Sequence, residues 1–297
     1  MKCLLVFFHF PTHNQYLHNQ SQDFILQHES GGGNDEAIAF DVPVANHQPQ
    51  PDPKDSLKFH LLTNDHHRGY MISITPSQVD LLNRIVTKTG LCQTEAPAIC
   101  NFIMVDGKSR KLVNLTKKAY DNAMQRIFTH AFRTLPGAVS ETTKQELSTF
   151  SEQLFTWFDR SGNKKIRALE FACGFTVLCG GSKSDKLEHI FELLDQDNDS
   201  LVTKQEIILF VQSFLIILMG VSSSFSHLDG TPSRNDPASI ARAINAGTEW
   251  ATSQVFDALK PKDDKLCFDD FADWYTKGGY QSIPWLELLD LRKWVLA

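Results

Sequence analysis

An all-α fold is predicted by three features of this 297-residue sequence. Two twelve-residue loops with oxygen-bearing side chains at matching places begin at Asp159 and Asp195; aromatic residues bracket the first, and the second lies between Phe191 and Ile207. The segments beside them carry apolar residues at three- and four-residue spacing rather than in alternation, the period of a helix with one buried face. The composition, 42% hydrophobic and 22% charged with a formal net charge of −6, is that of a globular chain long enough to bury its own core, and it excludes collagen-like, wholly disordered and multi-span membrane classes. Twenty-one Phe against five Tyr point to a core built on Phe. Six cysteines without a CxxC pair argue against a zinc knuckle or a disulfide scaffold; reduced thiols and a cytoplasmic location are the expectation.

Residues 1–67 carry a net charge of −5 and are rich in Asn, Gln, His, Asp and Pro, with Gly31-Gly-Gly33 and Gln48-Pro-Gln-Pro-Asp-Pro53, so they read as a disordered or irregular extension. No small-residue cleavage site follows the apolar run Cys3–Phe10, which is therefore not read as a secretory leader. Regular structure is expected from Thr75, which can cap a helix that Pro76 opens and on which Val79, Leu82, Ile85 and Val86 share a face. A second helix start lies at Asn114–Thr116, with Ala119, Tyr120, Ala123, Met124 and Ile127 at helical spacing, so residues 75–131 are read as helix, irregular linker, helix. Residues 68–118 carry +5, densest at Lys108, Arg110, Lys111, Lys117 and Lys118; this is a solvated face or a docking patch for an acidic partner or lipid headgroup. The larger acidic remainder argues against a nucleic-acid partner.

The first loop runs Asp159-Arg-Ser161-Gly-Asn163-Lys-Lys165-Ile-Arg-Ala-Leu-Glu170 and the second Asp195-Gln-Asp197-Asn-Asp199-Ser-Leu201-Val-Thr203-Lys-Gln-Glu206. Oxygens at the first, third, fifth and twelfth places, a carbonyl at the seventh and an apolar eighth residue form the EF-hand pattern, because a hard divalent cation takes six to eight oxygens. Asp195, Asp197, Asp199, the Leu201 carbonyl, Thr203 through water and a bidentate Glu206 make a full calcium set, with magnesium as an alternative occupant. Ser200 stands where the turn favours Gly, at a cost on the order of 1 kcal/mol. In the other loop Asp159, Ser161, Asn163, the Lys165 carbonyl and Glu170 are a weaker set, because Arg160, Lys164, Lys165 and Arg167 oppose a cation; that loop either binds weakly or is structural.

Hands come in pairs, so two more are expected. Val255–Phe271 keeps an apolar eighth residue, Leu266, and an acid at the twelfth place, Asp270, but Leu259 and Pro261 cannot ligate by side chain. It reads as a silent hand, and residues 75–131 as another, with Leu112–Leu115 the remnant of its loop strand. Two lobes result: 75–181 (hands 75–131 and 143–180) and 184–282 (hands 184–219 and 248–279, separated by an insertion at 221–247).

The sequence thus resembles the EF-hand superfamily, in particular the four-hand calcineurin B and neuronal calcium sensor groups. Ala172–Ser182, Asp185–Phe191, Phe271–Tyr275 and Ile283–Leu291 also look like the EF-hand region of the dystrophin and dystrobrevin group, whose hands serve mainly as a docking platform. This chain departs from that group in its well-stocked loop and its lack of a zinc module. Ile207–Met219 has eleven apolar residues in thirteen, a run too short to span a bilayer, which takes about 20 residues. It is either a helix buried between lobes or one wall of a groove, with Phe210, Phe214 and Ile217 meeting a protein partner. Residues 283–297 are read as an amphipathic helix whose Trp285 and Leu288 cap that groove or pack statically. No GxSxG or Walker loop is present, so the expectation is a non-enzymatic calcium sensor or adaptor, or else a constitutive scaffold with structural calcium.

Overall fold

The computed structural model describes residues 56–62, 70–104, 114–222, 224–227 and 237–296. Residues 1–55, the loop carrying Lys108, Arg110 and Lys111, and part of the 221–247 insertion lie outside these, and with them most of the expected extension and basic patch.

Among the described residues, four helix–loop–helix units follow one another. The first runs from α2 (Ala96–Ile103) to β3 (Asn114–Thr116) and α3 (Lys117–Ala131). The second joins α4 (Glu141–Phe158) through β4 (Lys165–Arg167) to α5 (Ala168–Phe175). The third joins α6 (Lys183–Leu194) through β5 (Val202–Thr203) to α7 (Lys204–Val221). The fourth joins α8 (Pro237–Leu259) through β7 (Lys265–Leu266) to α9 (Phe268–Trp274). The loop strands pair antiparallel, first with second and third with fourth, and in each pair apolar residues face one another: Leu115 with Ile166, Val202 with Leu266. The fold is all-α with paired EF-hands.

Helix starts follow local chemistry. Gln78 accepts the Thr75 N–H at 2.8 Å ahead of α1 (Pro76–Lys88), and the Thr116 and Ser140 hydroxyls accept N–H groups of Ala119 and Thr143. The helix entering the first hand is nevertheless α2, inside the stretch read as an irregular linker. Eight residues gave too little periodicity to read, but Pro97 opens a face, Ala96, Ile99, Cys100 and Ile103, that is fully buried.

Two further departures concern the ends of the hands. Leu57–His60 (β1), Tyr70–Ile74 (β2) and Ser224–His227 (β6) form a three-stranded antiparallel sheet, although composition places the first in the extension and the last in the insertion. Such short strands gain stability only from distant partners; here Ile72 and Ile74 are wholly buried. The other concerns residues 283–296, which form 3₁₀ turns at Pro284–Leu289 and Leu291–Lys293 instead of an amphipathic helix. Side chains take the carbonyls a helix would have used: Lys186 and Trp294 donate to Leu289 and Leu288 at 3.0 and 2.9 Å, and Asn83 donates to Val295. Trp285, Leu286, Leu288, Leu289 and Leu291 are buried all round rather than along one stripe.

The two pairs of hands share one apolar core. Phe171 meets Tyr120, Phe158 and Phe175 at 5.1–5.4 Å between ring centres, Phe191 meets Phe268 and Phe271 at 5.6 and 5.5 Å, and Phe214 rests on Trp285 at 5.8 Å. These are the Phe-built clusters that the composition foretold. Helix α7 runs through the centre; its eighteen residues are long and apolar enough to cross a membrane, yet two-thirds of them are buried inside the protein. Gly174 lets α5 approach it, since a Cβ there would stand 2.9 Å from the Ser213 carbonyl.

Candidate metal centre

The third hand's loop starts where α6 runs out at Asp195 and ends in the first turn of α7. Asp195 holds the turn: its carboxylate accepts the backbone N–H of Asp199 at 3.1 Å and of Ser200 at 2.9 Å, while Asp199 accepts that of Leu201 at 2.9 Å. Asn198 and Ser200 adopt positive φ of 56° and 63°, the left-handed turns that bring alternate side chains inward. As a result, carboxylate oxygens of Asp195, Asp197 and Asp199 lie within 4.8 Å of one another, the one such acidic cluster among the described residues. Three half-exposed to exposed carboxylates converging this closely are the donor set of a hard cation, so the residues present fit calcium or magnesium.

The remaining ligand places are occupied differently. Glu206 faces its own helix cap: its carboxylate accepts the Thr203 N–H and hydroxyl, both at 2.8 Å, and the Thr203 oxygen accepts the Glu206 N–H at 3.3 Å. The expected bidentate ligand therefore stands outside the Asp cluster, and Thr203 serves as its partner. A cation of the protein's own reaches the cluster: the Lys265 ammonium of the fourth loop lies 2.5 Å from Asp199 and 3.8 Å from Asp197, and its hydrogen bond holds the Asp199 carboxyl below the usual carboxylate range.

The second hand keeps the loop's form with different occupants. Asp159 accepts the N–H groups of Asn163 at 3.1 Å and Lys164 at 2.9 Å, Asn163 accepts that of Lys165 at 3.0 Å, and Lys164 takes the positive φ of 59° that Ser200 takes in the third hand. Ser161 donates to Asp159 at 3.5 Å. Glu170 is buried, and Arg160 reaches over from the loop's second place to pair with it at 2.7 Å while also donating to Gln212 at 3.1 Å. A guanidinium stands against the carboxylate that a metal would need. Arg160 and Lys265 are counter-ions of these carboxylates that ligand spacing alone misses; the charge at the second place of the second loop and the seventh place of the fourth was the available signal.

The five residues expected to meet a partner, Phe210, Phe214, Ile217, Trp285 and Leu288, are all core, none more than 2% exposed. Phe214 packs on Trp285 of the chain's own C-terminal segment, so these residues form no open docking surface here. Five described cysteines are free, and burial pushes the Cys100 and Cys173 thiols well up and that of Cys179 up to about 12, which keeps them protonated.

Helix pairs, loop registers and an acidic loop apex define a four-hand EF-hand architecture. The chain is similar to guanylyl cyclase-activating protein 2 of Lithobates pipiens (28% identical over 87 residues, 29% of this chain and 43% of that protein). It is also similar to a recoverin family protein of Dictyostelium discoideum (33% over 60 residues, 20% of this chain and 27% of that protein) and to lysophosphatidylcholine acyltransferase 2 of Danio rerio (33% over 88 residues, 29% and 17%). No family model matches. The chain thus spans less than half the length of these curated relatives, and the likeness places it coarsely with EF-hand sensors.

Proposed function

We propose that this chain is a calcium-binding sensor or adaptor in which the third hand holds the ion. The observation that carries the reading is the convergence of Asp195, Asp197 and Asp199 at the apex of a loop whose twelfth residue, Glu206, stands one helix cap away. Calcium when bound would supply a divalent charge against these carboxylates. Glu206 would complete the set only by releasing Thr203, which ties site occupancy to the first turn of α7 and hence to the core. The second hand, with Arg160 on Glu170, serves as a structural partner. Coverage of 17% of the acyltransferase transfers none of its named chemistry, and the reading here is non-catalytic. The buried, protonated thiols suit a reducing compartment such as the cytoplasm.

Calcium titration calorimetry on the full chain, run beside the fluorescence of a hydrophobic dye, tests this. One strong site is expected, lost in Glu206→Gln, with dye fluorescence rising as the C-terminal segment yields its groove to a protein partner's apolar helix. Absence of heat up to millimolar calcium would sink the reading. Burial of Phe210, Phe214, Ile217, Trp285 and Leu288 favours a second reading, a constitutive docking scaffold with structural calcium, for which binding proceeds without any dye response.

A further inference from the structure

Lys265 has no task inside its own loop, where Leu259 and Pro261 occupy ligand places without ligating side chains. Its backbone pairs with Thr203 in the β5–β7 ladder, and the neighbouring Leu266, wholly buried against Val202, anchors that register. The register sets its ammonium over the third loop, within 2.5 Å of Asp199 and 3.8 Å of Asp197, two of the three clustered carboxylates. The second hand carries a comparable internal cation, Arg160 on Glu170 at 2.7 Å, but there the carboxylate is only 3% exposed and Gln212 holds the guanidinium as well. The Lys265 side chain is 30% exposed and ends in a compact ammonium on a flexible stem, so it is not locked in place as Arg160 is, and a cation entering the loop has to displace it or bind beside it.

We propose that Lys265 is a tethered counter-ion, supplied by the silent fourth hand, that competes with calcium for Asp197 and Asp199 and thereby sets the calcium threshold of the third. In the metal-free protein it offsets repulsion among the three carboxylates and preserves the loop; on loading, one positive charge must move aside or remain near a divalent one. The inference rests on the calcium reading above and adds that the affinity of one hand is written partly in the loop of its partner.

Calorimetric titration with calcium chloride on the full-length native chain, Lys265→Gln and Lys265→Arg tests it, with thermal melts of each in chelator and in calcium. By Coulomb's law, removing a unit charge held within several ångströms of a divalent ion tightens binding roughly tenfold even at the dielectric of water, so Lys265→Gln is expected to bind about tenfold more strongly and Lys265→Arg to return to the native value. Lys265→Gln should also melt below the native chain in chelator and above it in calcium, a reversal of order that loss of a merely structural contact does not produce. Native binding with an unchanged or weaker affinity in Lys265→Gln overturns the tether alone. Heat absent from native chain and variants alike overturns the calcium reading beneath it, and the tether with it.

Discussion

At the scale of single residues, the third loop combines good ligands with a poor turn. Ser200 holds φ at 63°, where a side chain crowds the backbone and Gly does not. Its side chain makes no ligand, and its N–H donates to Asp195 whichever residue stands there. Ser200→Gly is therefore expected to stabilise the metal-free protein by about 1 kcal/mol, read from urea unfolding in chelator; a destabilised variant would show that the Ser hydroxyl contributes something the geometry does not reveal. The convergence of Asp195, Asp197 and Asp199 was legible in the sequence because the loop pattern sets alternate side chains inward at a fixed spacing within twelve residues. Glu206 was legible as an acid but not as a helix cap, since Thr203 and Glu206 satisfy the capping pattern and the ligand pattern with the same atoms. Lys265 was invisible as a neighbour, because what brings it to Asp199 is a strand register between residues more than sixty positions apart.

At the scale of elements, the helices were legible where a cap met a clean apolar stripe, as in α1 and α3, and less so where burial on every side erased the stripe, as in the C-terminal segment. That segment is tied down by Lys186, wholly buried, which donates to the carbonyls of Val177 at 2.9 Å and Leu289 at 3.0 Å. Burial lowers its pKa to about 8 against 10.5 for a free lysine. Between these values the folded protein holds a neutral amine while the unfolded chain keeps its proton, so unfolding takes up a proton and stability rises with pH. Below about 8 this contribution is gone. Urea unfolding of the native chain and Lys186→Met at pH 7.5, 8.5 and 9.5 should show the gap between them widening in favour of the native chain, approaching about 3 kcal/mol at full deprotonation. Titrating groups remote from Lys186 are common to both proteins and cancel in the comparison. A gap that stays constant would mean that Lys186 keeps its charge in the fold.

At the scale of the whole molecule, the hands are paired through their loop strands yet depend on each other through one core. The loop strands pair the hands two by two, while the core runs unbroken from Tyr120 and Phe171 of the first pair, through α7, to Trp285 and the aromatic cluster of the second. Helix α7 belongs to both: its first turn carries Glu206, and its later turns present Ser213 to Gly174 and Phe214 to Trp285. Neither pair could unfold alone without exposing the other's face, so a single cooperative transition is expected, with far-ultraviolet and near-ultraviolet circular dichroism giving the same midpoint. Calcium bound to the third hand as proposed would then stabilise the entire unit, by about 2.7 kcal/mol at one hundred times the dissociation constant. Phe158→Ala, made in the hand that Arg160 occupies, should lower this common midpoint by the equivalent of 3–5 kcal/mol, about what truncating a core Phe costs, and calcium should recover about the same 2.7 kcal/mol there as in the native chain. Two separate transitions, of which calcium moves only the one belonging to the third and fourth hands, would show that the lobes are energetically independent and that the shared core carries no signal between them.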